Sequence, residues 1–590
     1  MMTDPLIKVT EERIGEDTIL HPELVNEGPE LREGFVRPML MEIPTYAPPE
    51  QIRFLVNGYS SFSGSGSFHL GESEVDSRIP WLRKMHRNLN LPKQKRPGDL
   101  TSSLFGVLTV PGEEPLTVGF LGPQEHFAQI RTSRDPGMVW LWAQLQLENE
   151  LIPSGARMKL PDIFVGRGPA WRVLDRYMQL LARSWGAQPR TVPAGWCSWY
   201  HYSTRIDEQA CRQNLEKAKD LPWPVKIFQL DDGYQGDLGD WLTPNPKFPS
   251  GLADLARRAR DAGMIPGIWL APFLARSESQ LVQDHPRWLL RGWQGQKVGL
   301  WNPNWGPFSF TYALDPTHPD LISHLRNVFS ALKDVGFGYF KLDFLFAATL
   351  PGSSADQTLG SFRALRYALQ TIREAVGDAY IMGCGCPLEA GIGIVDSMRV
   401  GNDVTTYWSN IVDRFIGQGF EQLSTRNCIR NTLVRAPFNQ RLFHSDPDCL
   451  MTTGLTATER RTLAQVNALS GGTLFISDDL GALDDEKRSV IDLAFKLSEE
   501  VRAVPRTYAA PDFMERRIPE LQLALGPDDA FLGVYNFEEQ PAVKTVPLAN
   551  VIPWPRFVLN GVPQESGSVL TTDAIEPHGA RLYRILRAAT

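Results

Sequence analysis

The stretch FGYFKLDFLF, residues 337–346, sets two charged side chains, Lys341 and Asp343, inside a run of aromatic and aliphatic residues. A buried charge costs several kcal/mol unless it is paired or hydrogen-bonded. Two of them on one strand therefore need a cause. A closed parallel barrel supplies one, because the lower part of each barrel strand fills the core while its C-terminal end faces the active-site cup. The reading is tested by asking whether the surrounding chain supplies the other strands, and whether they too end in polar side chains.

It supplies them. VPAGWCSWY, VKIFQLDDGY, MIPGIWLAPF, GYFKLDFLF, AYIMGCG, SMRVGND, RLFHSDPDCL and GTLFISDDL follow one another between residues 192 and 480. Helical spacing fills most of the gaps, over Asp207–Asp220, Gly251–Ala262, Asp320–Val335, Thr358–Val376 and Thr456–Leu469. Eight strand–helix units in series predict a (β/α)8 TIM barrel over residues 193–504. A doubly wound open sheet is the competitor, but no strand here runs into a G-x-G-x-x-G turn and helix. The nearest Gly-rich text, SGSGSFHLG from Ser63, lies in a β-rich region and reads as a loop.

On either side the text is different. Residues 1–168 alternate apolar and polar positions between turn residues, as in EIPTYAPPEQIRFLVNG and MVWLWAQLQLENELIPSG, and predict an N-terminal β-sandwich. Residues 169–192 read as a linker helix ending near Gly186, and residues 505–590 as a small C-terminal β-sandwich. With 590 residues, 42% hydrophobic and 22% charged, the composition is that of a globular protein of several domains. A net charge of -8 leaves no electrostatic footprint for nucleic acid or an anionic membrane. Six scattered cysteines make no disulfide framework, and the chain starts without a basic and apolar leader, so the expectation is a cytoplasmic protein.

The strand ends carry the chemistry. The second closes with Asp231 and Asp232, the fourth with Lys341 and Asp343, the fifth with Cys384, the sixth with Arg399 and Asp403. The seventh closes with His444, Asp446 and Asp448, the eighth with Asp478 and Asp479, and Trp196, Trp199 and Trp269 stand on the first and third. A lone Asp after a strand is usually an N-cap for the next helix, and that is the expectation for Asp478 and Asp479. Acids, bases and indoles at several consecutive strand ends exceed what capping explains. Many carboxylates with one Lys, one Arg and several Trp suit a neutral polyhydroxylated substrate. No metal-ligand spacing, phosphate loop or nucleophilic Ser or Cys motif accompanies them, so neither metal nor cofactor is expected. Glycosidic cleavage needs two carboxyl groups, one to attack or activate water and one to protonate the leaving oxygen. Asp343 and Asp403 are the best pair.

Taken in order, GWCSWYHY, QLDDGYQ with GDW, KLDF, GCGCPL, MRVGNDV and HSDPDCLM with SGGTLFISDDL resemble bacterial α-galactosidases of glycoside hydrolase family 36. The resemblance is dense over residues 193–480. It implies a retaining mechanism acting on galactose-containing oligosaccharides, with Asp343 as nucleophile and Asp403 as acid/base. It also implies that Asp231 and Asp232 grip the 4- and 6-hydroxyls, that Lys341, Cys384 and Arg399 line the 2- and 3-hydroxyl side, and that Trp196 and Trp269 shape an apolar wall. Lys341, on the same strand face as Asp343, is expected to keep that nucleophile ionised. Homo-oligomerisation, transglycosylation and an N-acetylgalactosamine substrate also fit. Two positions depart from the family pattern: Asn402 precedes Asp403 where a proline is usual, and the N-terminal segment reads NGYSSF, with Ser60 and Phe62 in place of Gln and Trp. Phe62 keeps a stacking surface at the pocket but loses an N–H donor.

Overall fold

The computed structural model describes residues 5–73, 80–92, 96–302, 305, 310–409 and 423–588. Its centre is a sheet of eight parallel strands in the order seventh, sixth, fifth, fourth, third, second, first, eighth. From first to eighth they are Gly195–Cys197, Ile227–Leu230, Ile265–Leu270, Tyr339–Leu342, Tyr380–Gly383, Ser397–Arg399, His444–Asp446 and Phe475–Ile476. The two ends of that order meet: the Thr473 N–H donates to Ser445 O at 2.8 Å and the Leu450 N–H to Phe475 O at 2.7 Å. The ring is closed, and no edge is left unpaired.

Helices begin and end where local chemistry sets them. Pro319–Val335 starts with proline in its first turn, buries Leu321, Ile322, Leu325, Val328, Phe329 and Leu332 at three- and four-residue spacing, and stops at Gly336. That glycine adopts φ 112°, a left-handed conformation, and its N–H satisfies the carbonyls of Leu332 and Lys333. Asp207 caps Glu208–Lys219 through the Ala210 N–H, and Thr456 with Glu459 forms a capping box on Ala457–Leu469.

Between the third and fourth strands the chain makes an excursion that its alternation did not announce. Leu274–Arg276, Gly299–Trp301 and Phe310–Ala313 form a three-stranded antiparallel sheet beyond the C-terminal end of the barrel. On the N-terminal side two antiparallel sheets of eight and four strands pack together, and after the barrel come a six-stranded and a two-stranded sheet. This is the expected architecture of a barrel flanked by β-sandwiches.

The N-terminal sheets are joined to the barrel through residues 59–61. Ser60 bridges to Pro387, and the Ser61 N–H donates to Cys386 O at 2.9 Å. Beside this seam the buried Glu389 carboxyl accepts from the Gln124 amide, and burial pushes it up to about 8, so at neutral pH it is protonated. Its folded pKa lies above the unfolded value of 4.5, so the stability it contributes is complete below pH 4.5 and is lost as pH rises through about 8. Glu389→Gln is therefore expected to melt near the wild-type temperature at pH 4.5 and above it at pH 9. Parallel melting curves at both pH values would show otherwise.

Candidate active site

Lys341 does not stand beside its strand neighbour. Its Nζ donates to Asp231 Oδ2, 2.8 Å away on the second strand. The same oxygen accepts the Gln229 amide at 2.6 Å and the Cys197 thiol at 3.4 Å, while Oδ1 accepts the Asp232 N–H at 2.9 Å. Burial works to lower the Lys341 pKa, but the Asp231 charge overrides it and holds the ammonium well above its ordinary value. The hydrogen-bonded partner of Lys341 is thus Asp231, while the third strand, between the second and fourth, presents Trp269 to Asp343.

Trp269 Nε1 donates to Asp343 Oδ2 at 3.0 Å, and the Phe344 N–H to Oδ1 at 2.7 Å. Phe344 takes φ 54°, a left-handed value that turns the chain sharply after the strand and brings its N–H back onto the preceding carboxyl. Trp269 is itself wedged edge-on against Trp241, ring centroids 5.8 Å apart. Asp232 accepts Gln235 Nε2 at 2.6 Å and Trp305 Nε1 at 2.9 Å. Burial, with the charges of Asp231 and Asp343 adding to it, raises its pKa to about 6.

On the far side of the cup Arg399, 2% exposed, meets three carboxylates. Nη1 reaches Asp403 at 2.9 Å, Nε reaches Asp446 at 3.1 Å and Nη2 reaches Asp448 at 2.9 Å. Asp448 also accepts the Val404 N–H at 2.8 Å and the Tyr200 hydroxyl. The Asp403 side chain stays 36% exposed at the mouth. Its surroundings nonetheless exclude enough water to push its pKa up to about 6, with Arg399 opposing and Asp448 and Asp343 assisting. Asp343 acts electrostatically on Asp232, Cys384 and Asp403, so these four side chains lie near one another at the C-terminal end of the barrel.

Some strand-end residues lie elsewhere. Trp196 has no exposed surface; it stacks on Phe228 at 4.5 Å and donates to Asp478 O at 2.9 Å, so it supports the cup from behind. Cys384 is also fully buried, and burial, with Asp343, pushes its thiol well above the ordinary range, leaving it a neutral donor. His444 is at the other end of its strand: Nδ1 accepts the Val192 N–H, Nε2 donates to Gly471 O, and burial lowers its pKa to about 3. Asp479 caps the turn Leu480–Ala482 as expected, but Asp478 caps nothing and instead accepts the Thr452 hydroxyl at 2.6 Å and the Thr453 hydroxyl at 3.2 Å. Phe62 reaches the site from the N-terminal domain, edge-on to Phe344 with centroids 6.3 Å apart.

Two contributors escaped the sequence reading. Trp305 lies on the excursion, outside any barrel strand, and only its N-W-G context hinted at a fixed aromatic. Tyr200, three residues past the first strand, is tied to Asp448. A cavity of about 760 Å³ opens at the opposite end of the barrel between Trp223, Phe495 and Arg502, and is lined by none of these carboxylates.

Residues 180–372, from the linker helix through the fourth strand–helix unit, match the Melibiase family model. That match spans about a third of the chain. A 107-residue stretch is 33% identical to α-galactosidase 2 of Pediococcus pentosaceus and covers 17% of this chain and 15% of that protein. The chain therefore aligns with under a sixth of the length of that curated relative. Among solved structures, TtGalA, the α-galactosidase of Thermus thermophilus in complex with stachyose, superposes with a TM-score of 0.65 at 27% identity, covering 82% of this chain and 99% of that one. The GH36 α-galactosidase AgaA of Geobacillus stearothermophilus superposes with a TM-score of 0.65 over 99% of this chain and 81% of its own, at 14% identity, and so shares the fold.

Within the matched region the buried Lys341–Asp231 pair ties the fourth strand to the second. Lys341→Met leaves the Asp231 charge buried without its cation and is expected to cost roughly 3–5 kcal/mol, read as a lowered melting temperature. Adding Asp231→Asn should recover most of that loss; a double variant no more stable than the single one would argue against the pairing.

Proposed function

We propose that the protein is a retaining α-galactosidase that releases terminal α-linked galactose from raffinose-type oligosaccharides. The observation that carries this reading is a pair of unlike carboxyl groups close enough for the charge of one to act on the other. Asp343 is pinned by N–H donors on both oxygens, while Asp403 is held near the mouth with its pKa raised to about 6. Two carboxyls whose environments differ in this way can divide nucleophile and acid between them.

In the first step Asp343 attacks the anomeric carbon and Asp403 gives its proton to the leaving oxygen, producing a β-galactosyl enzyme and a free aglycone. In the second, Asp403 takes a proton from water, whose oxygen attacks the same carbon and releases Asp343 with the α-configuration restored. Asp232 keeps acceptor sites for sugar hydroxyls after its bonds to Gln235 and Trp305 are counted, since a carboxylate offers about four lone pairs, whereas Asp231 already accepts four donors and fixes the backbone of Asp232 from below. Trp305 and Gln235 fix the Asp232 plane, which lets it distinguish an axial from an equatorial hydroxyl. Trp269 contributes its ring to the apolar side of the galactose. The stachyose held by the Thermus thermophilus protein is a substrate of the class proposed.

Asp343→Gly should abolish turnover of an aryl α-galactoside, and added azide should restore it with formation of β-galactosyl azide. Unchanged activity in that variant ends the nucleophile assignment, and a wild-type protein that binds galactosides without cleaving them ends the enzyme reading.

The acid role carries a pH signature. Asp403 must be protonated to assist departure, and its pKa is about 6, so turnover of substrates with poor leaving groups falls as pH rises through that value. Asp403→Ala should remove this limb and lower kcat/KM on raffinose by about 10²–10⁴-fold, while largely sparing the first step on aryl substrates with acidic leaving groups. Equal losses on good and poor leaving groups would remove the acid assignment.

A further inference from the structure

The buried helix Thr425–Val434 carries Asn431 on one face, and Arg435, one turn further on, ends it. Neither side chain reaches the cup. Arg435 is 1% exposed, and its guanidinium donates to Ser61 O at 2.8 Å, Ser60 O at 3.0 Å, Gly58 O at 3.1 Å and Ser63 O at 3.2 Å, all in the N-terminal domain. The Nη1 that holds Ser61 also donates to Val400 O at 2.7 Å, on the loop that leads from the sixth strand to Asp403. Asn431 repeats the pattern. Its Nδ2 donates to Ser63 O at 3.2 Å and to Asn402 Oδ1 at 3.3 Å, and its Oδ1 accepts the Ser65 N–H at 3.0 Å. Each side chain thus grips the segment 57–65, which carries Phe62, and the segment 400–402, which carries Asp403.

We propose that Asn431 and Arg435 are positioning residues that set the Asp403 loop by reference to the N-terminal domain, so that the proton donor and the Phe62 wall keep one spacing. The physical case is one of constraint. Gly401 and Asn402 lie outside any helix or strand, and Asn402 is fully buried with its amide oxygen held by Asn431. Arg435 acts as a planar fork on several carbonyls at once, which a flexible ammonium cannot reproduce. Arg399 fixes the Asp403 carboxyl from within the barrel; the two outer residues fix the backbone that bears it. Displacing a proton donor by about 1 Å costs on the order of 10²-fold, and the loss falls on substrates whose leaving oxygen needs the proton.

The inference rests on the acid role given above to Asp403, and the experiment separates the two. Wild type, Asn431→Leu, Arg435→Lys and Arg435→Met are assayed as the full chain on p-nitrophenyl α-galactoside and on raffinose across pH, with melting curves for each. Cleavage of both substrates by wild type, with an alkaline limb on raffinose, upholds the acid role independently of the variants. Asn431→Leu is then expected to lower kcat/KM on raffinose by about 10–10²-fold with less than about a threefold change on the aryl substrate, and to move the alkaline limb. Arg435→Met should lose more and Arg435→Lys less. Equal losses on the two substrates, or an unmoved limb, overturn the proposal and leave the residues a purely structural tie. Should the Arg435 variants fail to fold, the Asn431→Leu comparison decides.

Discussion

One buried cation organises the far half of the cup. Arg399 leaves the end of the sixth strand and divides its fork among Asp403, Asp446 and Asp448. Three carboxylates in a dry site would repel one another and protonate; the guanidinium between them makes the arrangement tenable, and a planar, permanently charged group is required to reach all three. The cost is a local excess of negative charge, and it falls on Asp403, the most exposed of the three, whose pKa is lifted by burial and by Asp448 against the pull of Arg399. The property that suits Asp403 to donate a proton is therefore a consequence of how the sixth and seventh strands are held together.

The near half is built on the opposite balance. Asp231 has one cation and two further side-chain donors on a single oxygen, an arrangement in which every polar group is matched and nothing needs to move when a ligand arrives. Asp232 and Asp343, one layer higher, take indole N–H donors from Trp305 and Trp269. An indole supplies a single directed donor and a broad apolar face, so each carboxyl is oriented while the space beside it stays shaped for a sugar ring. Donors set in place before substrate binds cost no reorganisation during reaction.

The rim, by contrast, is composite. Trp305 comes from an excursion between strands, Phe62 from another domain, and Tyr200 from the turn after the first strand. Loops that differ in origin are kept in register by fully buried hydrogen bonds, of which those made by Arg435 and Asn431 are the densest. A barrel floor of parallel strands thus carries the buried carboxylates, while the aromatic side chains of the rim come from segments outside the strands.

Local chemistry alone was enough to determine the eight strands, the helices with their caps, the flanking sandwiches and the placing of Asp231, Asp232, Lys341, Asp343, Arg399 and Asp403 at strand ends, because alternation, capping and chain order act over a few residues. Pairing across the ring was decided only by the tertiary structure. Lys341 shares a strand face with Asp343, two residues away, but its hydrogen bond goes to Asp231, 110 residues away, because the bonded neighbour of a barrel side chain is set by strand tilt and layer. His444 shares its short strand with Asp446, yet it faces the base, and Asp478 differs from its neighbour Asp479 only in which side of the turn it occupies. Trp305 and the grip of Arg435 on the N-terminal domain were invisible for the same reason: hydrogen bonds between segments 73 and 374 residues apart leave no periodic trace in the chain, and exist only once the ring has closed.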